Sequence, residues 1–271
     1  MSDRGTTSSW LVFILRAFYY TRLKFASGLK LAIGWPFMAL AFAVMIVILI
    51  ILLPSRIARI KACNHFGTVV GGFFVWLSGC PLTVTGAERL DPSKPAIFAS
   101  NHTSVLDIFI AIWKSPTGTV GVAKKEIIYY PFFGLLYALS GHLRIDRGDS
   151  KKAIASMKKM AEIVKKHNLS IFIWPEGTRS RDGRLMPFKK GFANMAIQTG
   201  LPVVPFVVSG AYKSWEKRTH TIKPVPIKLD VLPPMDSSKW TTETIDEYIE
   251  AIHEQFRKTL PSDQQPHPKL D

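Results

Sequence analysis

The chain has 271 residues and a formal net charge of +15, from 35 lysines and arginines against 20 acidic residues. Such a length can bury a sizeable core, and such a charge calls for an anionic partner: nucleic acid, a lipid surface or an acidic substrate. Zinc-finger spacing and the aromatic signature of RNA-recognition modules are missing and the basic residues are scattered, several beside apolar segments, which favours anionic headgroups over nucleic acid.

A mean hydropathy of +0.14 is high for a soluble enzyme and directs attention to the N-terminus. Residues 10–25, WLVFILRAFYYTRLKF, are apolar and aromatic, with Arg16, Arg22 and Lys24 spaced to leave a basic stripe on a helix lying at a membrane surface. Residues 31–53 then run without a charge, long enough to span a bilayer, although Gly34 and Pro36 interrupt the first turns. Basic residues flank this run on both sides (Arg22, Lys24 and Lys30 before; Arg56, Arg59 and Lys61 after), so charge assigns no orientation. A pair of helices dipping into one leaflet has the same symmetry as a span. No cleavage signature follows the run. Cys63 and Cys80 are the only cysteines, which suits a reducing compartment.

From residue 82 the texture changes. Strands are predicted at 82–86, 96–100, 119–123, 143–146, 170–174, 203–208 and 227–232, with helices near 105–113, 131–140, 150–167, 188–199 and 242–259. The alternation predicts an α/β fold with a mainly parallel sheet flanked by helices. The expected organisation is a membrane-associated helical pair over 1–65, the α/β domain over 66–260 and a flexible polar tail over 261–271.

Three segments carry the chemistry. In NHTSVLD, residues 101–107, His102 falls at the end of a buried strand, where ligands gather in open α/β sheets. Asp107 meets it only if His102 lies in the turn before the helix, because a five-residue separation on a continuous helix turns the two about 140° apart. So placed, Asp107 orients the imidazole and stabilises its cation while the other ring nitrogen takes a proton. Ser104 suits a helix N-cap. In WPEGTRSRDGRLMPFKKG, residues 174–191, Gly177 lets the backbone approach a ligand and Arg179 offers a planar fork for a phosphate. Arg181, Arg184, Lys189 and Lys190 add positive field there, and a solvated basic loop is the plain alternative. In residues 123–149, Lys124 and Lys125 follow a strand, an aromatic helix suits either an acyl-chain groove or the core, and Asp146 and Arg147 form a motif end or an ion pair.

Together these segments resemble the PlsC-like glycerolipid acyltransferase family. NHTSVLD is similar to its Asn-His-x4-Asp motif, and WPEGTRS to its Phe-Pro-Glu-Gly-Thr-Arg-Ser motif with Trp174 for phenylalanine. Lys124 to Arg147 resembles the motif between them, with Arg144 where a neutral residue is expected, and LPVVPFVVSG (201–210) resembles the fourth. The resemblance, over residues 95–210, implies acyl transfer from acyl-CoA or acyl carrier protein to the sn-2 hydroxyl of lysophosphatidic acid. It implies His102 as general base with Asp107 behind it, and Glu176, Gly177, Thr178 and Arg179 holding the acceptor, Arg179 on its phosphate, with help from Lys124 or Arg147. It requires no metal or prosthetic group. It places the enzyme on an anionic membrane surface with its active site on the cytosolic face, at the plasma or inner membrane in a bacterium. Other readings are a different lyso-lipid acceptor, a noncatalytic membrane-anchored lipid-binding module, and a metal-using phosphohydrolase.

Overall fold

The computed structural model describes residues 6–130, 133–146, 148–216 and 219–268. Its first element is one helix, α1 (Thr6–Ile51), 46 residues long and about 69 Å at 1.5 Å per residue. The break expected at Gly34 and Pro36 does not occur, because α2 (Arg56–Ser78) packs across that place. The missing side chain of Gly34 admits the Phe74 ring, and Phe37 lies on Phe73 with ring centroids 3.9 Å apart. The helical pair is therefore α1 with α2, not two halves of α1, and residue 65 lies inside α2.

α1 is long and apolar enough to cross a membrane. Phe13, Phe18, Phe25, Trp35, Leu40, Val44, Val47 and Ile51 point outward, while Leu23, Phe42, Met45 and Leu49 are buried against the rest of the chain. Lys30 donates to the carbonyl of Ser78 at 2.6 Å, satisfying a group that the C-terminus of α2 leaves open.

The seven predicted strands all form: β1 (Leu82–Thr85), β2 (Ile97–Ser100), β3 (Thr119–Lys124), β4 (Leu143–Ile145), β5 (Ser170–Ile173), β6 (Val203–Ser209) and β7 (Ile227–Val231). They make one sheet in the order β1-β7-β6-β2-β5-β3-β4. Every pairing is parallel except β6 with β7. The central strands are buried on both faces, which accounts for their unbroken apolar runs.

Side chains alternate to feed two cores. On one face Ile97, Ala99, Ile171, Ile173, Val203 and Val207 meet α5 (Ser150–His167), α6 (Gly191–Thr199) and α8 (Ile245–Thr259). On the other Phe98, Phe172, Val204, Phe206 and Val208 meet α2 and α3 (Leu106–Lys114). α2 and α3 approach closely because Gly67 and Gly71 face the second helix; a methyl group at Gly71 would strike the carbonyl of Phe109. A third cluster joins Phe42, Met45 and Leu49 of α1 to Cys63 of α2 and Leu136 of α4 (Phe133–Leu139). Short α7 (Ala211–Ser214) follows β6.

The described part of the tail expected to be flexible, residues 261–268, is docked. Gln264 is 3% exposed, its main-chain carbonyl accepts from the amide of Leu185 at 2.9 Å, and its side-chain carbonyl accepts from the amide of Gly210 at 3.0 Å. A long amide side chain that satisfies buried backbone groups outweighs the polarity that suggested solvent.

Candidate active site

β2 and β5 are parallel neighbours, with Ala99 opposite Ile173, so the segments that leave their C-terminal ends emerge side by side. Asn101 continues the sheet with its side chain: its amide donates to the carbonyl of Val208 and accepts from its N–H, both at 2.8 Å. His102 follows in the turn before α3, as the pairing with Asp107 demands.

Nδ1 of His102 lies 3.2 Å from Oδ2 of Asp107. The same oxygen accepts the amides of Thr103 at 2.5 Å and Ser104 at 2.7 Å, so a side chain in the first turn of α3 fixes the whole preceding turn. Ser104 does act at the helix start: its hydroxyl accepts from the amide of Leu106 at 3.2 Å and donates to the carbonyl of Trp215 at 2.8 Å. Asp107 is fully buried and the His102 side chain is 12% exposed. Commitment of Nδ1 to Asp107 leaves Nε2 as the ring nitrogen that can serve a substrate.

Trp174, next after β5, stacks on this imidazole with ring centroids 4.6 Å apart and planes 22° apart. It is braced from behind by Phe172, edge-on at 5.1 Å. The sequence marks Trp174 only as a departure from a motif; its contact with His102 depends on the register of two strands about 70 residues apart in the chain.

Glu176 lies in the loop after Trp174. That residue is 2% exposed, both carboxylate oxygens are shut off from solvent, and neither makes a hydrogen bond of good geometry. Burial pushes its carboxyl well above the usual range; the amides of Met186 and His102 pull the other way, and the negative charge of Asp107 pushes with burial. Glu176 is thus buried, with its carboxylate turned into the protein. The cause is the turn at Gly177, whose amide bonds back to the carbonyl of Trp174 at 3.0 Å and whose φ of +74° suits glycine.

Thr178 is exposed and Arg179 partly so, on the segment that then ties back to the histidine: the amide of Ser180 donates to the carbonyl of His102 at 2.8 Å. Lys189 arches over Gly177, its Nζ being 3.3 Å from where a Cβ would lie. Lys124 ends β3, with its ammonium 5.8 Å from the ring centre of Tyr130. Asp146 pairs with Lys125 at 2.7 Å, and Arg147 lies outside the described residues. Among the described residues no three His, Cys, Asp or Glu side chains gather as a metal site would require.

A buried carboxylate holding a strand-end histidine, beside a basic loop on a mainly parallel sheet, is a geometry that suits deprotonation of a bound nucleophile. Comparison with known proteins narrows this class. The Acyltransferase family matches residues 81–209. The 1-acyl-sn-glycerol-3-phosphate acyltransferase of Limnanthes douglasii is 46% identical over 219 residues, 81% of this chain and 77% of that one. The protein of the same name from Cocos nucifera is also 46% identical, over 81% of this chain and 70% of its own. 1-Acyl-sn-glycerol-3-phosphate acyltransferase beta of Homo sapiens is 30% identical, over 71% and 70%. The crystal structure of the 1-acyl-sn-glycerophosphate (LPA) acyltransferase PlsC of Thermotoga maritima has the same fold, with a TM-score of 0.66 at 22% identity over 88% of this chain and 94% of that one. The chain belongs to the acyltransferase family.

Proposed function

We propose that this protein transfers an acyl group from a thioester to the sn-2 hydroxyl of lysophosphatidic acid, giving phosphatidic acid for phospholipid synthesis. The observation that carries the chemistry is the His102–Asp107 pair, with Nδ1 held and Nε2 left for the substrate. The choice of acceptor rests on the relatives at 46% identity, whose name states that acceptor.

In the reaction Nε2 of His102 takes the hydroxyl proton as the oxygen attacks the thioester carbonyl. The new C–O bond forms, the C–S bond breaks, and the proton passes from the imidazolium to the departing thiolate. Asp107 stabilises the transient cation, and Trp174 covers one face of it. A positioned base contributes about 10²–10⁴ in rate, so alignment of both substrates and stabilisation of the oxyanion supply the rest. Arg179 and Thr178 hold the acceptor's phosphate. No metal or prosthetic group enters this scheme, and the acyl donor is acyl-CoA or acyl carrier protein.

α1 holds the enzyme in the membrane where the lipid acceptor resides, and the site works on the cytosolic face, where the donor is dissolved. The +15 charge suits an anionic lipid surface and two anionic substrates.

The test uses detergent-purified protein, lysophosphatidic acid and radiolabelled acyl-CoA, with acyl carrier protein as a parallel donor. Wild type is expected to form phosphatidic acid and a folded His102→Ala variant to lose about 10²–10⁴ of the rate. Equal rates in the two proteins would make His102 structural; no product with either donor would defeat the assignment of acceptor.

A further inference from the structure

The α/β domain keeps its large apolar side chains inside with few exceptions. Among the described residues beyond β1, those exposed are Ile128, Tyr129, Tyr130, Leu135 and Ile154. All but Ile154 fall within residues 128–135. Exposed apolar residues scattered singly need no explanation, but a patch of them does.

This patch is held in shape. A 3₁₀ turn over Lys125–Tyr129 leads toward α4, the amide of Gly134 donates to the carbonyl of Tyr130 at 2.8 Å, and the missing side chain of Gly134 lets α4 rest on the carbonyl of Ile128. Beyond the other end of α4, Arg56 and Arg59 of α2 donate to the carbonyls of Gly141 and Leu139 at 2.8 and 2.5 Å. The segment is thus fixed with Tyr129 79% and Tyr130 53% exposed.

Its surroundings say what covers it. Phe133 of α4 lies against Phe42 of α1, ring centroids 5.9 Å apart, and Leu136 joins Met45 and Leu49 in the same cluster. The patch therefore stands beside the part of α1 whose Leu40, Val44 and Val47 point outward. Its charge is positive: the ammonium of Lys124 lies 5.8 Å from the ring centre of Tyr130, Arg144 is exposed on β4, and Arg56 and Arg59 add two cations. Of the acidic residues in this stretch, Glu126 and Asp146, the second is paired with Lys125 at 2.7 Å. Tyrosines with an apolar ring and a polar tip, bordered by cations, match the headgroup level of an anionic leaflet. Position matters too. β3 is parallel to β5, and β5 to β2, so the turn after β3 emerges at the same edge of the sheet as His102 and Trp174.

We propose that Ile128, Tyr129, Tyr130 and Leu135 form a second attachment to the membrane, entering the headgroup region of an anionic leaflet beside α1 and turning the strand ends toward the lipid acceptor. The proposal rests on the reading of α1 as the membrane helix. One helix alone leaves the domain free to swing about its axis; a second contact at the edge that carries the site removes that freedom.

Cys63 and Cys80 are buried, so a cysteine placed on the surface takes a label selectively. The full chain, reconstituted in vesicles of phosphatidylcholine and phosphatidylglycerol with brominated acyl chains, carries a fluorescent label at Tyr129→Cys, at Val44→Cys or, on the exposed side of α8, at Lys258→Cys. Loss of emission is expected at the first two positions and not at the third. Loss at Val44→Cys alone would overturn the second attachment and leave α1 in the membrane; loss at neither would overturn both readings. This measurement needs no acylation, so it holds whatever the acceptor is.

Kinetics supply the functional arm. The double variant Tyr129→Asp with Tyr130→Asp is expected to raise the apparent KM for lysophosphatidic acid in vesicles about tenfold, with constants for a water-soluble short-chain acceptor in detergent within about twofold of wild type. Replacing both tyrosines by tryptophan, which shares their preference for the interface, is expected to keep the vesicle KM near wild type. Equal losses with both acceptors would place the tyrosines in the site itself and overturn the membrane role, as would unchanged kinetics on vesicles.

Discussion

The indole of Trp174 lies face to face with the imidazole of His102, 4.6 Å between ring centres. With Nδ1 held by Asp107 and one ring face held by Trp174, the imidazole has little freedom to leave the plane in which Nε2 must act. The same face is rich in π density, so it favours the imidazolium of the proposed reaction. Tryptophan is the strongest of the aromatic residues in this respect, worth about 0.5–1 kcal/mol or more. Trp174→Phe is expected to lower kcat about two- to fivefold and Trp174→Leu by about tenfold or more, with KM for either substrate little changed. Steady-state kinetics on folded variants decides it; a change confined to KM would place Trp174 in binding instead.

Asp107 has two duties that mutation can separate. Asp107→Asn keeps an acceptor for the amides of Thr103 and Ser104 but removes the charge that supports the imidazolium. It is expected to retain its melting temperature within a few degrees and to lose about 10²–10⁴ in kcat. Asp107→Ala leaves those two amides without their partner, at a cost of about 1–3 kcal/mol for each buried group, so thermal melts should show a clear loss of stability as well.

Glu176 gives the pH dependence. Its folded-state pKa is raised above the ordinary value of 4.5, chiefly by burial. Between those two values the folded chain binds a proton that the unfolded chain has released, so the group's contribution to stability is full below about pH 4.5 and is lost as pH rises through the folded value. Glu176→Gln cannot ionise. Its melting temperature should match the wild type near pH 4.5 and exceed it at pH 8, with KM for lysophosphatidic acid unchanged. A large rise in that KM would return Glu176 to the role of acceptor ligand that its motif suggests.

The contact of α2 with α3 is the structural support of Asp107. Gly71→Ala must push apart the carbonyl of Phe109 and the side chains of Ile112 and Trp113. Overpacking of this kind costs about 1–3 kcal/mol. Gly72→Ala, whose methyl would meet only the Trp113 side chain at 3.2 Å, should cost less. Comparison of the two melts tests the packing, and loss of activity in Gly71→Ala beyond its loss of folded protein would show that α3 has shifted.

All the strands were legible because each is a short apolar run, rich in β-branched residues, with a turn or a helical pattern on either side. α2 was not. Its apolar residues serve two partners, Phe73 and Phe74 toward α1 and Val70 and Phe74 toward α3, and its glycines lie in the closest contact, so no single apolar stripe announces a helix. In the site, His102 and Asp107 could be paired from the requirement of a turn between them. The inward path of Glu176 depends on the φ of Gly177, and the stacking of Trp174 depends on which strand neighbours β2. Neither is a local property of the chain. The tail misleads for a different reason: its polar residues read as solvated, whereas Gln264 uses its polarity to pair buried backbone groups.

Asn101 completes a ladder with a residue 107 positions further along, and the carbonyl of His102 is held by an amide from a third strand's loop. Closing such long loops is slow, since the entropy lost is recovered only when the distant contacts are made. Local helices can form early, but the turn that carries His102 has no fixed shape until β2, β5 and β6 are all in register. During refolding the helical signal should therefore recover before catalysis, and enzyme activity reports completion of the central sheet, not the order of its parts.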